Sequence, residues 1–510
     1  MATVLPPPSK RQKREDADRA RNPIEQPTIP EGLQRIQFRD ADTGAPQGPV
    51  VSVSLADLSP RNLSLLLNSL LGKTDASDRL PYRFYNPLGD GEFNQEQILK
   101  AYLDGITTTE LQLNIPCRAE AVFKVKAVTR CSASVTGHGD SILSAQFSPA
   151  TSSRLATGSG DKTARIWDCD TGTPLHTLKG HTGWVLAVAW SPDDKILATG
   201  SMDNTVRLWD PEKGTPLGGP LKGHTKWITS VCWEPYHLRE PGRPRLASAS
   251  KDYTVRIWDA VNGHTDMALT GHKGSVTTVK WGGAGQIYTA SQDRTVKIWT
   301  VATGTLLHTL TAHAHWVNHL ALSTDHVLRT AYHDHTGRKS IPDTVDAKRK
   351  KARERYDLAI ASAGGVERLV SASDDCTMYL WEPSKTSKPL ARLTGHQKQV
   401  NHVSFSPDGA TIASAGFDNH VKLWSAKDGT FLHTLRGHVG PVYQCAFAPD
   451  SRLLVSCSKD TTLKAWDVKT GALKENLPGH QDEVFAVDWA PDGGGVGSGG
   501  QDKAVRIWRN

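Results

Sequence analysis

The sequence predicts a mainly β protein, a closed ring of eight four-stranded blades preceded by a small α+β domain. Three observations carry that prediction. A histidine followed by an Asp and then a Trp recurs eight times, at His138, His181, His224, His272, His313, His396, His438 and His480. In all eight the Asp lies six residues before the Trp, from Asp161/Trp167 to Asp502/Trp508. A period of about 40–45 residues with this signature is that of a propeller blade, and ring closure removes exposed sheet edges. Upstream of residue 121 the signature is missing, and two strand-like runs flank a leucine-periodic helix instead.

Residues 1–32 are rich in Pro and charge with almost no aliphatic pattern, so they read as a disordered basic tail. Its cluster Ser9-Lys10-Arg11-Gln12-Lys13-Arg14 is either a short nuclear import signal or a solvated basic stretch. Residues 33–120 form the small domain. Strands are expected at 33–39 and 50–55, around a turn holding Gly44, Pro46 and Gly48. Ser59 as N-cap and Pro60 at the first helical position start a helix. Leu63, Leu66, Leu67, Leu70 and Leu71 fall on one buried face, and Gly72 stops it. A short strand at 81–85, a second helix at 95–103 and further strands at 111–115 and 121–128 complete a β-grasp, ubiquitin-like pattern.

The ring occupies residues 121–510. The chain stops at Asn510, two residues after Trp508, which leaves no room for the outer strand of the last repeat. A strand within 121–135 can supply it and latch the two ends together. The fifth interval, from His313 to His396, is 83 residues, and its excess lies at about 332–365. From Lys348 to Arg355 this insertion carries six basic residues and one acidic, within a helix-forming stretch at 346–358. Lys348, Arg349, Lys350, Lys351, Arg353 and Arg355 could meet RNA phosphates, since clustered cations release counterions on binding. A solvated helix is the competing reading.

Ser, His and Asp recur together, as in His138, Ser159 and Asp161 with Trp167 behind them. In a WD40 repeat such groups form a hydrogen-bonded tetrad that pairs buried polar atoms. A nucleophile would not recur around a ring, so the grouping is structural; Gly416 and Gly500 replace the Ser in the sixth and eighth repeats. Trp184, Trp227 and Trp316 lie three residues after a motif His, near one rim. They either anchor a protein partner or pack against neighbouring blades. Seven scattered cysteines without a C-x-x-C pair indicate neither a zinc site nor a disulfide framework. With no P-loop and no metal-ligand cluster, the chain is not expected to be an enzyme. Net charge is +7, from 60 basic and 53 acidic residues, and much of the excess sits in the insertion.

The run Ala121-Val122-Phe123-Lys124-Val125-Lys126-Ala127-Val128-Thr129-Arg130-Cys131 leads into the first motif His. Together with Gly223-His224-Thr225-Lys226-Trp227-Ile228-Thr229, the eight repeats and the fifth-repeat insertion, it resembles the Notchless family. The resemblance implies a ubiquitin-like NLE domain at 33–120 and a role in assembling the pre-60S ribosomal subunit in the nucleolus and nucleus. It implies that the propeller docks on the pre-ribosome and that midasin, a dynein-related AAA ATPase, grips the ubiquitin-like domain. There an acidic side chain would complete the Mg2+ coordination of midasin's metal-ion-dependent adhesion site, so that the ion is shared in trans. By the family's Thr-Glu pattern that residue is Glu110, with Glu120 and Asp104 as alternatives. The family name also leaves open a scaffold or substrate receptor in Notch-type or ubiquitin signalling.

Overall fold

In the computed structural model, two units divide the chain at Phe123/Lys124. The structure describes residues 33–41, 45–54, 57–72, 82–86, 112–119, 124–334 and 341–510. The basic tail, the expected helix at 95–103, and Asp104, Glu110 and Glu120 lie outside these residues.

In the first unit, β1 (Leu33–Asp40) pairs antiparallel with β2 (Val51–Ser54) and parallel with β4 (Leu113–Ala119). β3 (Tyr82–Phe84) lies antiparallel on the far side of β4, so the sheet order is β2-β1-β4-β3. Parallel neighbours need a crossover, and the chain between them includes α1 (Pro60–Leu70). The Ser59 side chain accepts a hydrogen bond from the Asn62 amide (3.3 Å), satisfying one of the amides that a helix start leaves open. Leu63 and Leu67 on α1 are buried with Ile36, Phe38, Phe84 and Ile115. Ile36 and Phe38 share one face of β1, as the two-residue strand period requires.

The second unit contains eight four-stranded sheets. Each inner strand packs on that of the next blade, and the eighth (Val484–Trp489) returns to the first (Ile142–Phe147), which closes the ring. Every inner strand carries a register shift one or two residues after its start, for instance between Val185 and Ala187. The outer strand of the eighth blade is β5 (Arg130–Thr136), antiparallel to the last strand, Ala504–Arg509. The strand expected at 121–128 therefore starts later in the chain. Residues 124–128 run as non-strand chain instead, held where the Val125 amide donates to Asp450 Oδ2 (2.8 Å) and Arg452 donates to the Val125 carbonyl (3.0 Å).

The insertion leaves blade 5 between its inner strand (Val317–Leu322) and second strand (Leu369–Ser373). It forms two helices, α2 (Asp325–Thr330) and α3 (Val345–Ser362). The first of these has no counterpart in the sequence reading. Arg329 on α2 donates to Asp488 Oδ1 in blade 8 (2.8 Å) and to the Phe147 carbonyl in blade 1 (3.1 Å). Lys280 of blade 4 pairs with Asp325 (3.0 Å). This helix thus ties the neighbouring blade 4 to the adjoining pair of blades 8 and 1, beside a central cavity of ≈ 670 Å³ lined by inner strands.

Candidate docking surfaces

The polar groups with the most regular geometry are structural. His138 Nδ1 lies 2.8 Å from Asp161 Oδ2, while His138 Nε2 lies 2.8 Å from Thr157 Oγ1. The Trp167 indole donates to the same Thr157 hydroxyl at 2.7 Å. The hydroxyl partner is therefore Thr157 and not Ser159. Strand alternation puts both on one face, but Thr157 lies beside the indole, whereas Ser159 is two residues nearer the turn. There its hydroxyl donates to the Asp140 carbonyl and accepts from the Asp161 amide. The same holds around the ring, where Thr199, Ser248, Thr289, Ser371, Ser414, Ser456 and Ser498 fill the place of Thr157. The sixth and eighth tetrads are thus complete despite Gly416 and Gly500.

Burial works to raise the Asp161 pKa, but hydrogen bonds from His138, Thr163 and the Gly139 amide outweigh it and hold the carboxyl well below its usual range. Asp418, which has His420 where the others mostly have Thr, is lowered to about 2, again against burial. Each imidazole is fixed between a carboxylate and a hydroxyl, and none of the eight lines the central cavity. Among the described residues the three-ligand group Asp259, His264 and Asp266 is occupied by Arg243, which lies 2.9 Å from both carboxylates. No helix of the described residues is long and apolar enough to cross a membrane.

One rim is defined by the loops entering the inner strands and the Asp-bearing turns, which bond to each other. Backbone bonds join Met202 to Trp184, Lys251 to Trp227 and Asp374 to Trp316. Trp184, Trp227 and Trp316 each precede an inner strand and keep 45%, 42% and 45% of their surface exposed. By contrast Trp190, Trp233, Trp281 and Trp489, within inner strands, are buried.

The basic run is less free than its sequence suggests. Arg355 donates to the carbonyls of Ala331 and His333, and Lys351 pairs with Asp334 (2.8 Å). Lys348 sits over the Tyr332 ring, while Arg353 pairs with Asp357. Lys350, beside Glu354 at 3.9 Å, is exposed, and Arg349 is half-buried.

This architecture places the chain among WD40-repeat propellers. The family described as WD domain, G-beta repeat matches residues 129–168, 172–210, 214–259, 263–300, 387–425, 429–467 and 471–509. These seven segments omit the interrupted repeat of blade 5. Ribosome assembly protein 4 of Saccharomyces cerevisiae is 52% identical over 448 residues, 85% of each chain. That of Chaetomium thermophilum is 56% identical over 445 residues, again 85% of each. Protein Notchless of Drosophila melanogaster is 46% identical over 404 residues, 78% of this chain and 79% of its own. The crystal structure of the computationally designed Ika8 protein covers 75% of this chain and all of its own, at a TM-score of 0.58 and 26% identity. The chain belongs to the family of ribosome assembly protein 4 and Notchless.

Proposed function

We propose that this chain is a non-catalytic assembly factor of the pre-60S ribosomal subunit, acting in the nucleolus and nucleus. The observation that carries the reading is identity of 52–56% over 85% of both chains to proteins named for ribosome assembly. The structural use of every motif His and Asp supports a binding role over a catalytic one. In this reading the Trp184, Trp227 and Trp316 rim docks on the particle, since exposed aromatics are favoured anchors. Co-sedimentation of the endogenous protein with pre-60S particles is expected. Its sedimentation with ubiquitin-ligase components instead would overturn the proposal.

The first unit, read as a ubiquitin-like domain by resemblance, is proposed to present Glu110 to the adhesion site of midasin. A hard divalent cation takes oxygen ligands, so one carboxylate can complete a magnesium sphere held by the partner. ATP hydrolysis by midasin would then pull on the assembly factor. Glu110→Ala is expected to abolish Mg2+-dependent capture of the full chain by the adhesion-site domain, with the same loss in chelator for the wild type. Glu110→Asp should weaken capture, because the carboxylate withdraws by one methylene. Unchanged capture of the Ala variant would remove Glu110 from the mechanism.

A further inference from the structure

The rim is not uniform. Blade 3 (inner strand Ile228–Trp233) and blade 4 (inner strand Val276–Trp281) present exposed Lys226, Lys251, Lys273 and Arg294 on it. Arg256 and Lys297 lie half-buried behind them. The sector's carboxylates are those of the tetrads, and both are spent. Asp252 takes His224, the Thr225 amide and both donors of Thr254; Asp293 is bound in the same way by His272, Lys273 and Thr295. Blade 5 has the opposite balance, with Asp374 beside Asp375 and Cys376.

The exposed apolar groups of this sector are flat. Trp227 lies with the Lys251 ammonium 4.3 Å from its ring centroid, and Tyr253, 43% exposed, with Lys226 at 5.1 Å. Tyr253 sits in a turn at φ 73, where its amide donates to the Ser250 carbonyl and the next amide, that of Thr254, donates to Asp252. Exposed Leu306, Leu307, Leu432 and Leu473 sit on outer strands away from the rim, and exposed Val439 lies on the rim in blade 7, outside this sector.

We propose that the blade 3–blade 4 rim is a platform for single-stranded RNA. Bases stack on aromatic faces whatever their identity, and backbone phosphates seek cations. A lysine held over an exposed ring places charge where the phosphate beside a stacked base would lie. A protein partner can anchor on exposed aromatics too, but a sector with four exposed cations and no spare carboxylate favours a polyanion, and an acidic peptide would use the cations but leave the rings without a flat partner. The choice of RNA over other polyanions rests on the assembly reading above; the surface chemistry does not.

The test uses the purified full chain and a labelled oligouridylate of roughly 12 nucleotides, within the site size of such platforms. Binding is expected to quench tryptophan emission and to weaken about tenfold or more in Trp227→Ala and in Tyr253→Ala. Trp227→Phe, which keeps a stacking face, should recover most of the loss. Replacing Lys251, Lys273 and Arg294 by Gln should flatten the dependence of log Kd on log salt by up to about two, at roughly 0.7 per phosphate contact. Equal binding by these variants, or equal competition by oligoglutamate, would overturn the proposal. Sedimentation of the wild type with pre-60S particles is scored separately. Particle association without oligonucleotide binding sinks the RNA platform alone, and failure to sediment sinks the assembly reading.

Discussion

At the scale of single residues, stability depends on which hydroxyl serves each His–Asp–Trp set. Thr157 accepts from the Trp167 indole and can donate to His138 Nε2, which leaves the Nδ1 proton for Asp161. Thr157→Val keeps the volume but leaves two buried nitrogen groups unpaired, at a cost of about 1–3 kcal/mol. Ser159→Ala loses two turn bonds that blades 6 and 8 do without, so a smaller cost is expected, of about 1 kcal/mol. Urea unfolding of the two variants separates them, and a larger loss at Ser159 would contradict the assignment. The tetrad carboxyls also set a pH response. Their folded pKa values lie below the ordinary value of about 3.9, so their stabilisation is complete above that value and is lost as pH falls through the folded pKa. From these groups we expect little change in melting temperature between pH 7 and 5 and a steep fall between about pH 4 and 2. In Asp161→Asn that acid limb should be shallower.

At the scale of elements, the insertion shows what packing adds to a charge run. Tyr356 of α3 is buried with Tyr288 and Leu328, and the His237 ring stacks on it at 4.8 Å. Gly283 lies so close that a Cβ there would clash with the Tyr356 ring. Gly283→Ala must therefore displace the ring or the helix, costing about 1–3 kcal/mol. Amide exchange over residues 345–362 should quicken selectively, and a Gly283→Ala/Tyr356→Ala pair should cost less than the sum of the single changes. The helix itself was legible, because a Lys, Arg and Ala stretch without Gly or Pro favours one. That Tyr356 and Arg355 would turn inward was not legible, since their partners Gly283, His237 and Ala331 are distant in sequence or carry no pattern. The short α2 was missed for a related reason: its hold is tertiary, through Arg329 on Asp488. The eight His and Trp positions were read directly from spacing, whereas two hydroxyls on the same face two residues apart, Thr157 and Ser159, could not be told apart without register.

At the scale of the whole molecule, the ring is closed by a strand from the other end of the chain. β5 joins Ala504–Arg509 through pairs running from Arg130↔Arg509 to Ala504↔Thr136, and the Thr129 amide adds a bond to the Arg509 carbonyl. Just upstream, Val125 and Val128 are buried, and Asp450 and Arg452 of blade 7 grip the Val125 backbone. The chain running into the ring from residue 124 therefore meets this grip before the closing strand. Loosening the grip with Arg452→Ala deletes the bond to the Val125 carbonyl, about 1.5–3 kcal/mol at most, together with the exposed pair to Asp450, keeps the Asp450 bond to the Val125 amide and leaves β5 paired. Removing residues 130–136 exposes the edge of Ala504–Arg509 and uncovers Val505 and Ile507. The first change should lower the melting temperature by a few degrees with one cooperative transition retained. The second should abolish that single transition and open cleavage sites in blade 8 to limited proteolysis. If the deletion were no more sensitive than Arg452→Ala, closure by β5 would not be what holds the eight blades in one cooperative unit.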